Sequence, residues 1–135
     1  MKILNLIISL LSSTIFFGQS TDSLGIDNND ALNRQEIDFL NTSLKSSRDA
    51  FDFTNKKIAF VTGNSGHKLI SKQNFFLTCV LPWTDKDSLP QISYVTLTQD
   101  EKQKSNGYDA IVMSWVKVFT HKSRRRLIKE LSTQK

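Results

Sequence analysis

The chain has 135 residues, with 18 Lys and Arg against 13 Asp and Glu and a formal net charge of +5. Its one cysteine, Cys79, excludes an internal disulfide. The length fits one domain with a small core, and the sequence carries no internal repeat.

Residues 1–20 read as a secretory signal peptide. Lys2 supplies the positive start, and residues 3–17 are apolar except for Asn5, Ser9, Ser12, Ser13 and Thr14. Gly18 and Ser20 then supply the small residues of a cleavage site. The apolar run is shorter than the ~20 residues of a spanning helix. The expectation is therefore export to the periplasm or the outside, with no transmembrane span left after cleavage. No Cys follows the apolar run, so lipid attachment at a new N-terminal Cys is not available. Removing Lys2 with the signal leaves 17 Lys and Arg against 13 acids, a net charge of +4. Residues 21–30 are polar and rich in turn formers, which suits a flexible leader. Residues 31–135 remain as the single domain.

The elements then follow in order. Residues 33–49 predict a helix, with Asn33 as N-cap and Glu36 at capping-box spacing. Ile37, Leu40 and Leu44 form its apolar stripe, with Phe39 beside them. Residues 50–53 predict an extended segment covering the core. Residues 57–62 predict a strand, Gly63–Gly66 a loop, and 67–71 a short paired strand or a connector. Residues 72–74 predict a turn into a strand at 75–81, in which Cys79 is a small buried hydrophobe. Pro82 and residues 84–88 predict a loop that ends at Pro90. Residues 91–97 alternate as a strand. Thr98 and Glu101 have capping-box spacing, so a short helix at 99–105, stopped by Gly107, is expected.

The longest apolar run outside the N-terminus is residues 108–119. It is rich in β-branched and aromatic side chains, and neither of its period-two faces is polar. That pattern predicts a central strand covered on both faces. A C-terminal helix follows, with Ser123 as its cap and Leu127, Ile128 and Leu131 as its apolar stripe. Mixed order with short connections predicts an α+β fold. The expectation is a small, mostly antiparallel sheet with an N-terminal helix, a short helix and a basic C-terminal helix packed on one face.

The strongest chemical signal is the basic C-terminus. Residues 117–135 hold Lys117, Lys122, Arg124, Arg125, Arg126, Lys129 and Lys135 against Glu130 alone. Helical spacing puts Lys122, Arg125, Arg126 and Lys129 on one face. Lys122, Arg124, Arg125, Arg126 and Lys129 are therefore the candidate residues for docking an anionic envelope lipid or an acidic protein. A charged face that only keeps the protein soluble explains the same run. Nucleic acid is disfavoured for an exported domain, and no RNA-recognition or helix-turn-helix pattern is present.

A second candidate is the 63–68 loop, with Asn64, Ser65, His67 and Lys68. It follows a strand, and a nest of backbone N–H groups there suits an anion, although a tight turn explains the glycines equally well. The Walker and Rossmann spacings are absent. A chymotrypsin-like serine nucleophile is excluded because no His precedes Ser65. Cys79 with His67 or His121 is too generic a set for Cys–His catalysis. The two histidines have no partner at metal-ligand spacing, so neither metal nor cofactor is expected. Trp83, Tyr94, Tyr108 and Trp115 are candidates for a contact surface, although aromatics on strands more often fill a core.

Phe16-Phe-Gly-Gln19, the Lys104–Asp109 stretch running on to Trp115-Val-Lys117, and the basic helix after it resemble small exported proteins of Bacteroidetes-type bacteria. That resemblance implies export and no particular activity. Together these readings predict an exported binding or interaction domain. The alternatives are a small hydrolase or enzyme inhibitor acting through the 63–68 loop, and a structural component of the envelope.

Overall fold

The computed structural model describes residues 25–27, 29–44, 51–63, 66–84 and 91–134. The expectations for the signal peptide, for residues 21–24, for the end of the first helix at 45–49, for Asn64 and Ser65 and for loop residues 85–90 lie outside the described residues.

The element order is helix α1 (Arg34–Ser43), strands β1 (Ile58–Thr62) and β2 (Lys68–Ile70), a continuous helical stretch, strand β3 (Ile92–Thr96), helix α4 (Gln99–Lys104), strand β4 (Ala110–Ser114) and helix α5 (His121–Ser132). The helical stretch consists of α2 (Lys72–Phe75), a π-helical turn (Phe76–Val80) and α3 (Leu81–Thr84). The sheet order is β2-β1-β4-β3. The two central strands run parallel, with Phe60 opposite Val112, and both edge strands are antiparallel to their neighbours. The fold is α+β with a mostly antiparallel sheet.

All five residues of β4 are buried, as its two apolar faces require. Alternation sends Ala110 and Val112, with Ile58 and Phe60 of β1, into one core with Leu40, Phe53, Phe75, Phe76, Cys79 and Val80. It sends Ile111 and Met113, with Ala59 and Val61, into a second core with Leu127 and Leu131. Helices therefore cover both faces of the sheet, not one. A sheet whose central strands are apolar on both sides needs a layer on each.

The strand within the 108–119 run is shorter than its composition suggests. Trp115 adopts a left-handed backbone (φ 62°) that ends the strand, at a cost of ~1–2 kcal/mol for an L-residue. Gly63 makes this ending fit. Its N–H donates to the Ser114 carbonyl at 2.8 Å, and a Cβ there would lie 2.5 Å from the Trp115 carbonyl oxygen. The first glycine of the 63–66 loop thus serves close backbone approach.

Residues 75–81 are helical, not a strand. Phe75, Phe76, Cys79 and Val80 are buried, while Leu77 and Thr78 face outward. Burial at i, i+1, i+4 and i+5 is helical spacing; a strand would have buried Leu77 with Phe75 and Cys79. Aromatic and β-branched composition favoured the strand locally, and tertiary burial overrode it. Ser71 caps the stretch by accepting the Asn74 N–H at 3.1 Å. The Thr78 hydroxyl donates to the Asn74 carbonyl four residues back at 2.6 Å. Such back-bonding competes with the regular ladder at the point where the π turn occurs.

The first helix begins as expected. Asn33 accepts the Glu36 N–H, and Glu36 accepts the Asn33 N–H, both at 2.9 Å. Glu36 is fully buried and also pairs with the buried Lys72 ammonium at 2.9 Å. Lys72 donates further to Asp27 and to the Ala31 carbonyl, each at 3.0 Å. Three acceptors match the three donors of an ammonium, which is what its burial requires. The segment before α1 is thereby tied to α2.

Two substitutions distinguish a helical 75–81 from a strand. Phe76→Ala is expected to lower unfolding free energy by about 3–5 kcal/mol. Leu77→Ala is expected to cost less than about 1 kcal/mol. Equilibrium urea denaturation measures both, and equal losses would contradict the helical burial pattern.

Candidate functional site

Helix α5 carries the basic segment. Thr120 caps it, with its hydroxyl accepting the Ser123 N–H at 3.1 Å, so the cap lies three residues earlier than the expected Ser123. Its far end is closed by Asn106, whose side-chain amide donates to the carbonyls of Leu131, Ser132 and Gln134 at 2.9, 3.1 and 2.9 Å. Asn106 takes a left-handed backbone (φ 66°), which asparagine tolerates better than most residues. The turn before β4 therefore caps the C-terminus of α5.

The basic residues sort into two groups by helical position. Arg124, Leu127, Ile128 and Leu131 share the inward side by i, i+3, i+4, i+7 spacing. Arg124 is accordingly clamped against α4. Its Nε and Nη2 donate to Glu101 at 2.7 and 2.6 Å, and Nη2 also reaches the Thr96 carbonyl at 2.8 Å. Arg124 belongs to the fold rather than to a free basic surface. This could have been read in the sequence, because Arg124 falls on the apolar stripe.

Lys122, Arg125, Arg126 and Lys129 lie on the outward side, and all four are exposed. Arg126 is partly engaged, with Nη1 at 2.7 Å from Glu130 and Nη2 donating to the His67 carbonyl at 2.8 Å. Lys122, Arg125 and Lys129 have no ion pair or side-chain hydrogen bond among the described residues. Lys117 and Val118, just before the cap, are also exposed. The result is a row of cations, uncompensated among the described residues, along one side of a helix capped at both ends.

The 63–68 loop is divided differently from expectation. Asn64 and Ser65 lie outside the described residues, and Lys68 is exposed on β2. His67 docks on α5, with Nδ1 2.8 Å from the Ser123 hydroxyl and its ring edge-on to Phe119 at 5.8 Å. A hydroxyl within reach of an imidazole is a nucleophile–base geometry. No carboxylate orients the His67 ring among the described residues. Cys79 is buried in the opposite core, away from both histidines. Among the described residues no cluster of three or more His, Cys, Asp or Glu has the geometry to hold a metal ion. Also among them, no helix is long and apolar enough to cross a membrane.

The four singled-out aromatics do not converge. Tyr94 packs in the first core against Phe51 and Phe53. Tyr108 supports the second core and lies under the Lys57 ammonium at 4.4 Å. Trp83 and Trp115 stack edge-to-face at 5.2 Å. A cleft of about 890 Å³ opens beside β1, near Asp30, Lys56, Lys57 and Tyr108. Its cations are largely occupied, because Lys57 donates to the Asn106 carbonyl at 2.7 Å and Lys72 is saturated. The outer face of α5 is thus the better candidate.

The Arg124–Glu101 pair has a testable acid signature. The Arg124 guanidinium holds the Glu101 carboxyl at about 2, against an ordinary value of 4.5. A carboxylate with a depressed folded pKa adds stability that is complete above its unfolded pKa and is lost as pH falls toward the folded value. Both side chains are about 21% exposed, so the contribution is put at about 1–2 kcal/mol. Arg124→Gln is expected to lose that amount at pH 7 and to show a smaller further loss between pH 4.5 and pH 2. Urea titrations at several pH values measure this. Parallel acid profiles for the two proteins would contradict the clamp.

Comparison with curated proteins and with solved structures finds no match. A family model does match, over residues 28–133, which includes all of the elements described above. The chain therefore belongs to the family described as a domain of unknown function (DUF8192).

Proposed function

We propose that this protein is a small exported interaction domain that docks to an anionic partner through the outer face of α5. The observation that supports it is the sorting of the basic residues. Arg124 is consumed by the fold and Arg126 is shared with Glu130 and the His67 carbonyl, while Lys122, Arg125 and Lys129 stay uncompensated on one side among the described residues. Cations held in a row by a helix capped at both ends present a preorganised field to an anionic surface. Export rests on the signal-like residues 1–20 and on the resemblance to exported bacterial proteins.

Binding to immobilised heparin, as a generic polyanion, is expected to weaken steeply with salt because exposed charges are screened. Replacing Lys122, Arg125 and Lys129 together by Glu is expected to reduce it at least about 30-fold at low salt. A wild-type protein that does not bind, or a triple variant that binds as well as wild type, would remove this reading. Arg124 is left out of the substitution set, since its loss would perturb the fold instead.

A second reading, a small hydrolase, is favoured by the 2.8 Å His67–Ser123 contact. Here Ser123 would be the nucleophile and His67 the base. Activity on a panel of esters and phosphomonoesters that disappears in both Ser123→Ala and His67→Ala would support it. Activity indifferent to both changes would exclude it.

A further inference from the structure

Within the docking reading above, the structure points to one partner: we infer that the basic end of α5 seats on an anionic phospholipid surface. This inference rests on that reading and names its partner. The added observation is Val118. Among the described residues the large hydrophobics left exposed are Val118, at 68%, and Leu77, at 40%. Val118 lies two residues before the cap Thr120, next to the exposed Lys117 and four residues before Lys122. Its neighbour Phe119 turns inward to the second core, so the backbone there is anchored.

An aliphatic side chain in water four residues before the first of these cations has no use to a purely polar anion. A bilayer offers both complements at once, with anionic head groups for the lysines and arginine and hydrocarbon beneath them for the valine. The apolar area is that of one side chain, so attachment is peripheral and reversible and needs the cations. A polysaccharide, which offers no apolar surface, would satisfy Lys122, Arg125 and Lys129 and leave Val118 unused, and an acidic protein is told apart from a bilayer by the vesicle arm of the test.

Leu77 supplies an internal control. It projects from the helical stretch that covers the first core, whereas α5 covers the second, on the other side of the sheet. Residues 73–84 around it contain no Lys or Arg.

The test compares the exported protein on vesicles containing phosphatidylglycerol, on pure phosphatidylcholine vesicles and on heparin. The expected result is salt-sensitive binding to the phosphatidylglycerol vesicles and none to phosphatidylcholine alone. Val118→Ser is expected to weaken vesicle binding about 3–10-fold, the loss of one aliphatic contact, with heparin binding unchanged. Leu77→Ser is expected to change neither. Binding to heparin with no vesicle binding, or vesicle binding indifferent to Val118→Ser, would overturn the lipid assignment and leave the docking face intact. Failure to bind either probe would overturn both.

Discussion

The architecture depends on a central strand that is apolar on both sides. β4 has no solvent face, so every other layer must supply cover for one of its two surfaces. Phe75, Phe76, Cys79 and Val80 do so on one side, and Leu127 and Leu131 on the other. The strict period of two keeps the two cores separate, since Val112 and Phe60 meet one layer while Met113 and Val61 meet the other. A one-residue slip between β1 and β4 would exchange every partner, so the register is strongly specified. The close approach of Gly63 to Trp115 marks where that pairing ends.

Charge is used in two distinct ways around this frame. Some charged groups are taken inside and paired. Lys72 is held by Asp27, Glu36 and the Ala31 carbonyl, and fixes the segment before α1 onto the start of α2. Breaking one partner of such a buried set is costly, because the other is left desolvated. Arg124 does similar work between α4 and α5, in a half-buried setting. Other charged groups are exposed and have no partner among the described residues. Lys122, Arg125 and Lys129 belong to this second class, and their shared side of α5 is what makes them a candidate surface. A cation count of the C-terminal segment mixes the two classes and overstates the surface.

The proposed docking face has a firm support because α5 is fixed along its length. Thr120 caps its start, Arg124 holds its first turns to α4, His67 and Arg126 tie it to the β1–β2 connection, and Asn106 closes its end. Cations on such a support lose less freedom on meeting a partner than cations on a loose tail, which favours binding through preorganisation.

The sequence by itself determined the parts governed by local rules. Capping boxes at Asn33 and Glu36 and at Thr98 and Glu101 set two helix starts, because side chain and backbone three residues apart satisfy each other whatever surrounds them. Period-two apolar runs set β1, β3 and the doubly buried β4, and helical spacing placed the outward cations together. Tertiary structure decided what local propensity left ambiguous. Residues 75–81 have strand-like composition, but only the core of the opposing sheet required Phe75, Phe76, Cys79 and Val80 to face it together, which a helix allows and a strand does not. The parallel pairing of β1 with β4 and the cover on both faces likewise depended on long-range fit. Helical spacing separates Arg124 from the outward cations, but what Arg124 meets on the inner side was a tertiary outcome. Arg124 differs from Arg125 only by a rotation of about 100° on the helix, and that rotation meets Glu101, a residue no local pattern connects to it.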